Sequence, residues 1–177
     1  MDALLHHLQR EAKGVSTQEL AHLIRDFYLE RTALLMRHED VATRIQDYDI
    51  NNAYQNIIGR EQTHLSWLQH ALLDLGAESP ADPARLDVSA GKGAAAWQAL
   101  AGEDAQSAAR FVEKWRAKVE DVSNARHKGM LKVILGEMLE HKRLFDQAAA
   151  GNRDLIGKSL AINDHTGVVM GARWTGQ

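Results

Sequence analysis

The only two prolines of the chain, Pro80 and Pro83, lie together near its middle. A proline inside a helix removes a backbone donor and clashes with the preceding turn, so helix interiors rarely hold one. The spacing therefore leaves a long stretch on each side of residue 80 in which helices run uninterrupted. In both stretches apolar residues recur every three or four positions, the period of a helix with one buried face.

A chain of 177 residues fits one domain, and that size buries roughly 70% of the surface exposed by the unfolded form. There is no cysteine. Disulfides, thiolate catalysis, iron–sulfur clusters and cysteine-held zinc are thereby excluded, and any metal must be held by oxygen and imidazole nitrogen. Twenty-one basic against 24 acidic residues give a formal charge of -3 with no basic block, which argues against a nucleic-acid partner. The opening MDALLHHLQREAKG lacks the apolar run of a signal peptide, and no segment approaches ~18 consecutive apolar residues. The expectation is a cytoplasmic protein with no membrane contact.

Three regions follow from the pattern. Residues 1–14 read as a short helical arm with Leu4, Leu5 and Leu8, stopped by Gly14. Residues 15–151 read as a four-helix bundle, and residues 152–177 as an extended tail. Ser16 followed by Glu19 is a capping box that opens helix 1, which runs to about Arg44. Helix 2 follows the polar turn at 47–52 and ends at Gly76, a C-terminal cap. Residues 77–92, with both prolines, form one long crossover. Helix 3 lies within 93–122, with a break near Gly102. Ser123 and Asn124 make a turn, and helix 4 runs from Ala125 to Ala150, ending at Gly151. Two hairpins joined by a long crossover is one of the known connectivities of helix bundles. The stretch from Val168 to Trp174 must cover the bundle's flank or a second subunit, so a homodimer or higher oligomer is expected.

Stepping about 100° per residue around each helix selects the polar groups that point inward. On helix 2, Glu61 falls at the centre of the stripe made by Tyr54, Ile57, Ile58, Leu65 and Leu68, with His64 one turn on. On helix 4, His141 is central and Glu137 is about 40° away, while Glu140 points to the flank. Glu30 borders the stripe of helix 1, with Arg31 nearer its centre. On helix 3, Glu113 and Glu120 point outward and Asp104 is the inward carboxylate. An unpaired ionised group in such a place is normally paired, protonated or metal-bound. Glu19-Leu20-Ala21-His22 repeats the Glu-x-x-His string of Glu61-Gln62-Thr63-His64 but falls off the stripe, and carries no chemistry. Trp97, Trp115, Tyr48 and Tyr54 are expected in the core, and Met130, Met138 and Met170 as gap-fillers. His6, His7, His38, His70, His127 and His165 are expected on the surface.

On these residues, 17–150 resemble a ferritin-like bundle of the rubrerythrin and bacterioferritin kind. The likeness rests on Glu30, on Glu61 with His64, and on His141. That family typically places one glutamate on helices 1 and 3 and Glu-x-x-His on helices 2 and 4, around a di-iron centre that reacts with oxygen or peroxide. The second hairpin departs from it. Met138 holds the glutamate position of helix 4, Glu137 is displaced by one, and Asp104 stands where helix 3 would offer a glutamate. The resemblance implies a metal site from Glu30, Glu61, His64, Asp104, Glu137 and His141. Glu61 and Glu137 would bridge two iron ions, or manganese, for an oxidoreductase or iron-handling role. The alternative is a metal-free bundle acting as an interaction or structural module, with Glu61 in a buried network with Arg31 or Tyr54.

Overall fold

The computed structural model describes residues 16–85, 88 and 96–156. The expected N-terminal arm, most of the tail and part of the crossover lie outside these residues. Four helices make up the described chain: α1 (Thr17–Ala42), α2 (Tyr48–Asp74), α3 (Ala96–Glu120) and α4 (Ala125–Ala149). None is long and apolar enough to cross a membrane.

Local chemistry sets their ends. Ser16 accepts from the Glu19 amide while the Glu19 carboxylate accepts from the Ser16 amide, the reciprocal box that satisfies two otherwise unpaired donors. Asp47 and Asn124 cap α2 and α4 through their side-chain oxygens. At the far end of α2, Gly76 takes φ 72, and the amides of Gly76 and Ala77 close on Leu73 and Leu72. A side chain at that φ is strained, which is why glycine ends the helix.

Helix α3 is continuous through Gly102, contrary to the break expected there. Glycine in a helix interior costs only about 1 kcal/mol relative to alanine. Leu100, Ala101, Asp104 and Ala105 are buried on either side of it, and packing holds the turn.

Each short connection pairs its two helices, α1 with α2 and α3 with α4. Between the hairpins, α1 packs on α3 and α2 on α4. Among the described residues, α2 and α3 do not pack on each other although they are consecutive. Pro80 and Pro83 lie in the non-helical segment between these two helices, part of which falls outside the described residues.

The core contains the planned stripes, from Leu20, Ile24 and Phe27 through Leu68 and Leu72 to Phe111, Trp115 and Phe145. Phe27 meets Phe111 and Trp115 edge to face, with ring centroids 4.9 and 5.0 Å apart. Three placements differ from expectation. Tyr48, the first residue of α2, is 78% exposed rather than packed. His38 and His127, expected on the surface, are both buried.

Candidate functional site

Nine polar or charged residues are buried among the described ones, and Arg31, Glu61 and Asp104 are fully so. Of the six residues singled out from the sequence, Glu61, Asp104 and His141 gather around Arg31 and His38, and His64 pairs with Glu137 beside them, its ring facing that of His141. Glu30 is not among them. Its carboxylate accepts from Lys114 Nζ at 2.5 Å and from Trp115 Nε1 at 3.0 Å. A buried indole N–H needs an acceptor, and Glu30 at the edge of the α1–α3 contact supplies it.

Glu61 is the centre. Arg31 Nη1 donates to its Oε1 at 3.0 Å and His38 Nδ1 lies 2.8 Å from its Oε2. His141 Nδ1 is 3.6 Å from Oε1, beyond hydrogen-bond length. The carboxyl is held well below its usual range. Burial opposes this, but His38, Arg31 and then His141 outweigh it. His38 moves the other way: burial works against its charge, yet Glu61 and Asp104 raise its pKa.

Arg31 crosses the core to reach Met138 as well, its Nη1 lying 2.8 Å from the thioether sulfur. Its Cζ sits 5.7 Å from the centroid of Phe111. Toward one end of the network, Asp104 accepts from Arg37 Nε at 2.6 Å and from Tyr54 Oη at 2.7 Å. Burial, then the Asp104 charge, pushes the Tyr54 phenol up. Arg37 also reaches Glu103 at 2.8 Å. In the other direction, His64 Nε2 is 3.3 Å from Glu137 Oε2, which Arg60 holds at 3.0 Å. The His64 ring faces that of His141 at 6.5 Å. Burial, with the Arg31 charge, lowers His64 to about 4, so its ring is neutral at pH 7.

This arrangement can be tested against the group the resemblance implies. A carboxylate-bridged metal pair draws a glutamate from each of two helices and Glu-x-x-His from the other two. Here Glu30 serves Trp115, Met138 holds a glutamate position without charge, and Asp104 is taken by Arg37 and Tyr54. Glu61 spends both oxygens on Arg31 and His38, and a guanidinium occupies the middle. No group of three or more His, Asp or Glu among the described residues is placed to hold a metal ion. As arranged, the side chains do not form the donor set of a di-metal centre. Some nitrogens nonetheless lack partners: Nε2 of His38, Nδ1 of His64, both ring nitrogens of His141, and Nε and Nη2 of Arg31.

His38 and Arg37 are the network members that sequence reasoning missed. The signal was present, since His38 sits four residues after Leu34 and three before Val41, both buried stripe positions. In comparisons with known proteins, the chain matches no family model, no curated protein and no solved structure.

Proposed function

We propose that the chain is a ferritin-like bundle that works without a resident metal, as an interaction or structural module whose core is held by a guanidinium, a carboxylate and an imidazole. The crossover between hairpins supports the ferritin-like part of this reading, because that connectivity leaves α2 and α3 apart. One observation carries the metal-free part. The fully buried Arg31 lies 3.0 Å from the fully buried Glu61, so the charge a cation would neutralise already has its partner. An ion pair of this kind contributes little net stability over an apolar pair, but losing one member leaves a stranded charge. Such networks instead favour one packing over its rivals. Self-association into a homodimer or larger oligomer belongs to the same proposal, and light scattering on the full chain tests it.

A second reading keeps the metal, and the unpartnered nitrogens of His38, His64 and His141 around Glu61 favour it. Imidazole and carboxylate suit iron or manganese, whose chemistry when bound would be reaction with oxygen or peroxide. One experiment separates the two. Elemental analysis of anaerobically purified protein, followed by ferrous titration and exposure to air, should return no metal above background and no new absorption band. Stoichiometric retention of iron or manganese, lost in Glu61→Ala, would overturn the metal-free reading.

A further inference from the structure

Away from the charge network, a cavity of about 240 Å³ opens between α2 and the start of α4. Trp67, Ala71 and Met130 give it apolar walls, and His70, Arg126 and His127 complete the lining. Trp67 is 40% exposed, with one contact already made to the ring of His64 at 5.3 Å.

Of the three polar residues that line this cavity, His127 is the buried one. It is only 6% exposed, and neither ring nitrogen has a hydrogen-bond partner. Its backbone N–H is satisfied by the Asn124 cap at 3.1 Å, so the need lies in the side chain alone. Burial, then the charge of Arg126, lowers the imidazole pKa. A neutral imidazole carries one N–H and one bare nitrogen. Left unsatisfied, a buried donor or acceptor is costly.

The remaining features narrow what could fill the space. A cavity of about 150 Å³ lined by apolar side chains suffices for benzene, so this one admits a single ring with a small substituent. Flat aromatic ligands gain from an indole wall and from a nearby thioether. A simple anion is disfavoured, because Arg126 is ion-paired with Asp74 at 3.1 Å. A purely apolar ligand would leave His127 as it stands. We propose that this cavity is a binding site for a small planar aromatic molecule bearing a hydroxyl group, its ring against Trp67 and Met130 and its hydroxyl on His127. A hydroxyl can donate to the bare nitrogen or accept from the protonated one, whichever tautomer is present.

The test uses the full chain with phenol as probe, and toluene and cyclohexanol as the two controls. Binding is followed by the ¹⁵N signals of the histidine rings and by tryptophan fluorescence. Phenol should shift the His127 ring signals saturably, with a dissociation constant on the order of 1 mM for so small a ligand. Toluene, lacking the hydroxyl, should bind about two- to ten-fold more weakly, and cyclohexanol, lacking the aromatic face, should also be weaker. Trp67→Leu should weaken phenol about five-fold, and His127→Leu should erase the preference for phenol over toluene. The absence of a saturable shift with phenol would overturn the proposal. So would equal affinity for phenol and toluene, or binding indifferent to Trp67→Leu. The comparison of probes on the unaltered chain stands even if a variant fails to fold.

Discussion

One turn of α1 separates Phe27 from Arg31, and the two side chains fill neighbouring parts of the core in unlike ways. Phe27 meets Phe111 and Trp115 edge to face in a dry aromatic layer. Arg31 enters a layer of Glu61, His38 and Met138, where contacts are charged and directional. Phe111 belongs to both, since Arg31 lies over its ring. An aromatic layer tolerates near-isosteric change because its contacts are many and individually weak. The charged layer depends on a few partners, and loss of one strands another.

The largest expected effect follows from that difference. Glu61→Ala leaves Arg31 and His38 without their shared carboxylate and should lower unfolding free energy by about 3 to 5 kcal/mol in urea titration. The double variant Arg31→Met with Glu61→Leu should restore most of that loss, coming within about 2 kcal/mol of the parent, because an apolar pair replaces a matched ion pair. A double variant as unstable as Glu61→Ala would mean that the layer cannot be made apolar.

In the aromatic layer, Phe27→Leu should cost only about 1.5 kcal/mol, read by the same titration. A loss as large as that of Glu61→Ala would erase the contrast between the layers.

The smallest effects divide the charged layer itself. His38 has a raised pKa, so its stabilisation is fully present below about pH 6.5 and is lost as pH rises through the folded value. The stability gap between the parent and His38→Gln should therefore be wider at pH 6 than at pH 9. His64 is lowered to about 4, so its contribution is present above about pH 6.5 and is lost as pH falls toward that value. Relative to His64→Gln, the parent should lose about 1 kcal/mol over that range, since solvent near the Glu137 rim screens the effect. Urea titrations across pH would check both signs, and slopes of the same sign would show that Glu61 and Arg31 do not divide the two imidazoles.

The contrast also marks where the sequence was legible. Prolines, caps and the apolar period placed all four helices, because each signal acts within a few residues. Inward facing found Glu61, His64, Asp104 and His141, since that property needs only helix phase. Partners were harder to read. Glu30 borders the stripe and entered the metal site only through the resemblance, but its neighbours Lys114 and Trp115 come from the other hairpin, and helix phase says nothing about them. Arg31 was seen near the stripe of α1, yet its long side chain can go to water or to the core, and the choice is made by Glu61. His38 fits the stripe of α1 as well as its neighbours do, and was set aside on residue type alone.

Met138 has a consequence of its own. Its thioether accepts from Arg31 without bringing a charge, so the electrical balance at the centre of the bundle is set by what Glu61 and the groups around it contribute. A carboxylate there would tilt that balance toward negative and create an appetite for a further cation. Oxidation of the sulfur would place a bulkier, strongly polar group in a space that is completely enclosed. This one neutral atom adds no charge of its own to the network around Arg31 and Glu61.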